Sequence, residues 1–171
     1  TGNFGPKGAG VCNVSGYFPT NSKALQRNDL ISDEHEAISI LDIPDLILEP
    51  DAKKTPIKNL FIYNHNPVAV HPRQGRMIEA LLEEDLFVVG CDITLTDSMR
   101  YADIVLPAAS HLEYSDLYTA YGHPFLQRSE AAIPPVGEAL PNTEIFRRLA
   151  QRFSRSNSIF ADPMFTESDE A

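Results

Sequence analysis

Two apolar segments joined by a short acidic loop constrain the fold of this chain more than any other feature. Residues 86–91 form an apolar run that ends in Asp92, and a second run follows at residues 103–106. Ending a buried parallel strand on a carboxylate is unfavourable unless the carboxylate is used. In doubly wound α/β folds, ligands lie beyond the carboxyl ends of the strands. The pattern therefore predicts a nucleotide-binding domain in which Asp92 contacts the ligand.

The other elements complete an α/β pattern of strands alternating with helices. The short apolar run at residues 59–63 predicts a further strand, and Pro107 is expected to stop the strand at 103–106. The predicted helices cover residues 34–41, 73–84, 96–102 and 143–153, with Thr96 as a cap, Asp97 in the first turn and Asn142 as an N-cap. Residues 113–137 are expected to be irregular, with one possible strand at 124–128. Together these elements predict an α/β, Rossmann-like fold with a mostly parallel sheet flanked by helices.

The domain boundaries follow from composition. Residues 1–153 are predicted to form one α/β domain, with a Gly-rich and acidic lead-in at 1–56 and a regular core at 57–153. Residues 154–171 are expected to be an acidic, polar tail. Because the chain begins at Thr1 without a signal peptide, we expect it to be a piece of a larger protein.

Charge and hydropathy exclude two classes of partner. The 171 residues carry a net charge of −10, so neither nucleic acid nor an anionic lipid surface is expected as a partner. No run approaches the roughly 18 apolar residues of a membrane helix, so we expect a soluble chain without membrane insertion.

Several familiar catalytic and metal-binding patterns are missing. The glycines at residues 5–10 precede neither Lys-Ser/Thr nor a GxGxxG helix. Cys12 and Cys91 form no CxxC pair, and the five histidines lack metal-ligand spacing, so no metal site is expected within this chain. Ser110-His111 has no recognisable third partner, which disfavours hydrolysis.

Polar residues at the predicted strand ends are the better candidates for ligand binding. Asn64 and Asn66 follow the strand at 59–63 and could contact phosphate or ribose, or could form a simple Asx turn. Asp103 begins its strand, away from the predicted crevice, so a structural role is expected. Cys91 fits a small buried apolar residue.

Five sequence blocks, in this order, resemble the molybdopterin oxidoreductase family, the group of the dimethyl sulfoxide reductases, formate dehydrogenases and nitrate reductases. The resemblance spans about residues 1 to 153. The blocks are TGNFGPKGAG at 1–10, NLFIYNHNP at 59–67, VVGCDITLTD at 88–97, ADIVLPAAS at 102–110 and PVGEALPN at 135–142.

The resemblance implies that the chain is the second of two related α/β domains in a catalytic subunit. In that family, molybdenum or tungsten is held between two molybdopterin guanine dinucleotides, and an iron–sulfur cluster lies in a segment that this chain lacks. The family's guanosine contacts carry over to Asn64 or Asn66, Cys91, Asp92, Tyr114 and Asn142. The family often has Asp at the position of Asn142. The implied partners are the remaining domains of the parent protein and electron-transfer subunits. No catalytic residue is implied in this chain, which alone should not turn over substrate. The compartment, prokaryotic cytoplasm or periplasm, stays open.

Two further points bear on function. Formate dehydrogenases place an Arg where this chain has Ser15, and a hydroxyl cannot form the bidentate clamp that a guanidinium offers a carboxylate, so formate is disfavoured as a substrate. The alternative to a cofactor-binding domain is a structural relative that binds no cofactor, as in the large iron–sulfur subunit of respiratory complex I. The polar strand ends favour a working site.

Overall fold

The computed structural model describes Lys7 and residues 37–51, 55–119 and 125–153. Three parallel strands form the main sheet, and an antiparallel hairpin lies apart from it. In chain order the elements are α1 Ile43–Leu48, β1 Asn59–Tyr63, α2 Pro67–Val70, α3 Gln74–Leu81, β2 Phe87–Asp92, a 3-10 helix Ser98–Tyr101, β3 Ile104–Pro107, β4 Asp116–Tyr118, β5 Gln127–Ser129 and α4 Asn142–Phe153. The predicted α/β fold with a parallel sheet flanked by helices is confirmed.

The central strand β2 pairs with β1 on one side and with β3 on the other. Tyr63 lies opposite Cys91 in the first ladder, and Cys91 lies opposite Leu106 in the second. Because side chains alternate along a strand, these three residues share one face of the sheet, and their neighbours in sequence share the other.

Each face of the sheet carries its own core. One core surrounds Val88, which is fully buried, and joins the sheet to α2, α3 and the 3-10 helix. Its buried members are Ile62, Val68, Met77, Leu81, Leu86, Val88 and Met99. The second core is smaller and brings α4 against Cys91 and Ala108 through Ile145. Phe146 of α4 also packs on β1, with its ring centroid 5.0 Å from that of Tyr63.

A network of ion pairs fastens α1 to α3. Asp45 accepts hydrogen bonds from Arg73 at 2.7 Å and from Arg76 at 3.1 Å, and Arg76 also pairs with Glu49. The two guanidinium groups, Arg73 first, hold the pKa of the Asp45 carboxyl below its ordinary value. Because these groups are largely exposed, the network fixes geometry more than it adds stability.

The predicted strand boundaries of the main sheet agree with the observed ones to within one residue. The strand at 59–63 is confirmed, while β2 and β3 each begin and end one residue later than predicted. Pro107 is the last residue of β3 and does not stop the strand before it. This is possible because β3 is an edge strand, where a missing N–H costs no ladder bond on the open side.

The predictions of helix ends were less accurate. The described part of the predicted helix at 34–41 is not helical, and the helix runs instead over Ile43–Leu48, with Pro44 in its first turn, where a missing N–H is harmless. Thr96 does not cap the 3-10 helix, because Asp97 takes the position before it without a side-chain cap. Asn142 is the first residue of α4 and not its N-cap. Helix α3 is shorter than the predicted 73–84.

The hairpin of β4 and β5 was also missed. It lies within the segment expected to be irregular, and its second strand begins three residues after the start of the possible strand at 124–128. In the described ranges, no helix is long and apolar enough to cross a membrane.

Gly90 provides a test of how tightly β2 is packed. A Cβ built at this glycine would lie 2.1 Å from the sulfur of Met99, whereas one built at Gly75 in α3 would meet nothing within 4 Å. We expect Gly90→Ala to lower the free energy of unfolding by about 1–3 kcal/mol through overpacking. Gly75→Ala should be neutral or stabilising by up to about 1 kcal/mol. Urea denaturation of both variants measures the difference, and equal stability would contradict the packing described for Met99.

Candidate functional site at the carboxyl edge of the sheet

Backbone hydrogen bonds bring the ends of β1, β2 and β3 and the start of α4 to one edge of the sheet. The amide of Asn64 donates to the carbonyl of Cys91 at 3.2 Å, and the amide of Ala108 donates to the carbonyl of Asp92 at 3.0 Å. The amide of Ala109 then donates to the carbonyl of Leu140 at 2.8 Å, two residues before α4 begins. Asn64, Asp92 and Asn142 therefore lie along this carboxyl edge, where α/β folds bind ligands.

Asp92 ends the central strand of the sheet and is half-buried. One carboxylate oxygen, Oδ1, accepts a hydrogen bond from the amide of Ile93 at 2.7 Å. The other oxygen has no partner among the described residues. The group therefore keeps acceptor capacity at the centre of the edge, and no cation in the described part of the chain neutralises it.

Asn64 and Asn66 follow the same strand but differ in environment. Asn64 is exposed and has a φ of 50°, a left-handed conformation that Asn tolerates better than most residues. In Asn66, the oxygen Oδ1 accepts hydrogen bonds from the Oγ of Ser98 at 2.7 Å and from the amide of Ser98 at 3.2 Å. Its two lone pairs are thus occupied within the protein. Of the two asparagines, Asn64 has the side chain that is open to a ligand.

Cys91 lies at the same edge, but its side chain is only 1% exposed and packs in the core beneath α4. Burial, followed by the nearby carboxylate of Asp92, raises the pKa of the thiol, so the group stays protonated and inert at neutral pH. A ligand could meet Cys91 through its backbone, whereas the thiol is enclosed.

Tyr114 is half-buried in the loop that follows β3. Burial raises the pKa of its phenol, and the neighbouring Tyr118 and Asp116 raise it further, with a smaller effect from Tyr63 at the end of β1. Tyr114 lies in the loop that leaves β3 at the carboxyl edge. At neutral pH its hydroxyl is protonated and can donate a hydrogen bond.

The loop that carries Tyr114 is held by a buried acid, Glu113, which the sequence analysis did not single out. Its carboxylate accepts hydrogen bonds of 2.6 Å from the amides of Ser110 and Val136. These bonds, those from Ser110 first, lower the pKa of the carboxyl. Ser110 is therefore tied to a structural acid, and the neighbouring His111 is exposed, so the pair shows no catalytic arrangement.

Asn142 opens α4, and its side-chain oxygen is buried without a hydrogen-bond partner among the described residues. A buried acceptor without a donor is unfavourable. Because the atom has no exposed surface, it could accept a hydrogen bond from a ligand at the carboxyl edge only after its side chain turns.

Comparisons with known proteins identify the family of this chain. The family model for molybdopterin oxidoreductases matches residues 3–152. The chain belongs to the molybdopterin oxidoreductase family. It is 39% identical over 164 residues to the "Probable oxidoreductase YoaE" of Bacillus subtilis, covering 95% of this chain and 23% of that protein. It is 32% identical over 171 residues to the alpha subunit of the F420-dependent formate dehydrogenase of Methanocaldococcus jannaschii, covering 89% of this chain and 25% of that one.

A solved structure shows the same fold within the family. The acetylene hydratase from Pelobacter acetylenicus superposes with a TM-score of 0.56 at 26% identity, covering 66% of this chain and 15% of that chain. The chain thus spans about a quarter of the length of the curated relatives above, and less of the solved structure.

The two loops beyond β1 and β2 of this family member are joined by a second residue that sequence reasoning missed. Ser98 is fully buried, and its Oγ accepts a hydrogen bond from the amide of Val68 at 3.0 Å while donating to Asn66. A serine between a charged residue and a methionine gives no sequence signal for this role. Its partners lie some 30 residues away and are adjacent only after the sheet forms.

Other predicted positions fall outside the candidate site. Asp103 accepts a hydrogen bond from the amide of Val88 at 2.7 Å, at the opposite edge of the sheet, which confirms its structural role. Ser15, Cys12, the glycines of the lead-in, His35 and His123 lie outside the described residues. Among the residues that are described, no group of three or more His, Cys, Asp and Glu side chains could hold a metal ion.

Two histidines that the sequence placed on either side of a loop are in contact. The Nε2 atoms of His65 and His71 lie 2.8 Å apart, and Nδ1 of His71 is buried with no partner among the described residues. A single N–H can bridge the two rings when both are neutral. Protonating the pair would set two N–H groups against each other.

The pair predicts a loss of stability in mild acid. Burial, and then the nearby His65, lower the pKa of His71 below its ordinary value of 6.5. The stabilisation that the neutral His71 side chain contributes is therefore complete above its unfolded-state pKa. It is lost as the pH falls through the lower pKa of His71 in the folded state. We expect the free energy of unfolding, measured by urea denaturation between pH 7.5 and 5, to fall less steeply in His71→Gln than in the wild type. His111→Gln, at an exposed histidine, is the control, and an unchanged slope in His71→Gln would contradict the prediction.

Proposed function

We propose that this chain binds the guanosine end of a molybdopterin guanine dinucleotide within a larger molybdenum or tungsten oxidoreductase. Family membership implies the molybdopterin cofactor. That the nucleotide is a guanosine goes beyond family membership, and this part of the proposal rests on Asp92. A half-buried carboxylate with an unused oxygen suits a base edge or a ribose that presents several N–H or O–H donors, and guanine presents two adjacent N–H donor groups.

The other residues at the carboxyl edge support the same ligand. The Asn64 amide can donate and accept, the Tyr114 phenol can donate, and the unsatisfied oxygen of Asn142 can accept from a base. Asn142 offers one acceptor and one donor, whereas the Asp common in the family offers two acceptors. The guanine contact at this position is therefore weaker than an Asp would give, and Asp92 makes the main contribution.

The division of labour in the parent protein follows from these contacts. When bound, the cofactor supplies the metal chemistry that moves two electrons, and the residues of this chain bind and orient its nucleotide end. No residue of this chain is assigned a catalytic role, and the isolated chain is expected to catalyse nothing. The remaining domains of the parent, with their iron–sulfur cluster, and an electron-transfer subunit would complete the enzyme.

We infer further that formate is disfavoured as the substrate, because Ser15 replaces the carboxylate-binding Arg of formate dehydrogenases. The similarity to the formate dehydrogenase subunit argues in favour of formate, and the match covers 25% of that protein. Assaying the full-length parent for oxidation of formate tests this inference, and turnover with formate would overturn it.

The binding proposal is tested by isothermal titration of GDP into the 171-residue chain. Separate titrations of ADP and NAD, which carry adenine in place of guanine, are the controls. We expect binding heat with GDP and none with ADP or NAD. The affinity for GDP should fall at least about tenfold in Asp92→Ala, since a hydrogen bond to a charged group contributes about 1.5–3 kcal/mol. Asp97→Ala is the matched control, because Asp97 is an exposed acid on the same loop.

The other outcomes of this titration separate the competing functions. Binding of ADP or NAD without GDP would replace the proposal with an ordinary dinucleotide-binding domain. No binding of any nucleotide, with the chain folded by circular dichroism, would favour the structural relative without a cofactor. Equal loss in Asp92→Ala and Asp97→Ala would show that disturbance of the loop, and not contact with Asp92, governs binding.

A further inference from the structure

We propose that Ser98 is a positioning residue that holds the loop following Asn64 against the loop following Asp92. This inference rests on the proposed nucleotide site, and it assigns a role to a residue that itself is buried away from any ligand. Its side chain has no exposed surface, so it acts only through the groups it holds.

Ser98 makes three hydrogen bonds to the segment that follows β1. Its hydroxyl donates to Oδ1 of Asn66 and accepts from the amide of Val68, and its own amide donates to the same Oδ1. The Ser98 hydroxyl and amide, Oδ1 of Asn66 and the Val68 amide are thereby all hydrogen-bonded. Because the three bonds span 30 to 32 positions in sequence, they join two loops that the strand ladder does not reach.

The position of the group relates it to binding. Asn66 is two residues from Asn64, and Ser98 is six residues from Asp92, on the loops that leave neighbouring strands at the carboxyl edge. The β1–β2 ladder ends at Tyr63 and Cys91, and the amide of Asn64 adds one further bond to the carbonyl of Cys91, so beyond these bonds the relative position of the two loops depends on contacts between them. Ser98 supplies such contacts, and the next residue, Met99, is buried against Gly90 of β2.

A matched residue at the other edge of the sheet separates positioning from stability. Asp103 also accepts a hydrogen bond from a backbone amide, that of Val88 in β2, but at the amino end of the strand. Ser98→Ala and Asp103→Ala each remove one side-chain oxygen bonded to a backbone N–H. Both should destabilise the fold, whereas only Ser98→Ala should disturb the loops.

The test combines GDP titration with amide hydrogen exchange on the 171-residue chain. We expect Ser98→Ala to weaken GDP binding about tenfold, because the loops must be ordered on binding, and to speed exchange in residues 64–70 and 93–98. Ser98→Cys, which keeps the shape with a weak hydrogen-bonding group, should resemble Ser98→Ala. Asp103→Ala should leave the Kd for GDP within about twofold of wild type at a temperature where it is folded.

Three results would overturn the positioning role. The first is wild-type affinity in folded Ser98→Ala, and the second is an equal loss of affinity in Asp103→Ala. The third is a wild-type chain that does not bind GDP at all, which removes the proposed function as well. The last is distinguished from the first two because it appears in the wild type, before any substitution.

Discussion

The packing of β2 between two neighbours and two cores is the constraint on which the rest of this structure depends. Val88 is fully buried on one face and Cys91 on the other, so neither face of the strand can move without opening a core. Gly90 lets Met99 approach the strand closely, and this contact packs the 3-10 helix against β2, next to the loop that follows Asp92. The position of the candidate site is thus a result of how the central strand is packed.

The sequence predicted the strands well because their signal is local. An apolar run such as residues 59–63 has few alternatives, and the parallel order follows once helical segments separate the runs. Asp92 could be singled out as a candidate because an acid at the end of such a run conflicts with burial. The helix ends were harder, since Pro44 can either end a helix or begin one, and only the contact of Asp45 with α3 decides between them.

The residues that organise the site could not be predicted, because their partners are distant in sequence. Ser98 contacts Asn66 and Val68, and Glu113 contacts Val136, 23 positions away. No local pattern distinguishes these residues from ordinary loop residues. The two asparagines of the first loop likewise looked equivalent in sequence, and only the tertiary contact with Ser98 separates a structural Asn66 from an open Asn64.

Electrostatics limits which part of a dinucleotide this chain can hold. The chain carries a net charge of −10, and the main candidate contact, Asp92, is itself an acid, so the edge would repel a diphosphate and attract donor groups. Many of the described basic side chains are already paired with carboxylates: Lys58 with Asp85, Arg73 and Arg76 with Asp45, Arg128 with Glu130, and Arg147 and Arg148 with Glu144. In the proposed site, affinity would therefore come from the base and ribose end, where neutral N–H and O–H donors would meet Asp92 and Asn142. The diphosphate would then be neutralised largely by other parts of the parent protein, which fits a chain that spans about a quarter of its curated relatives.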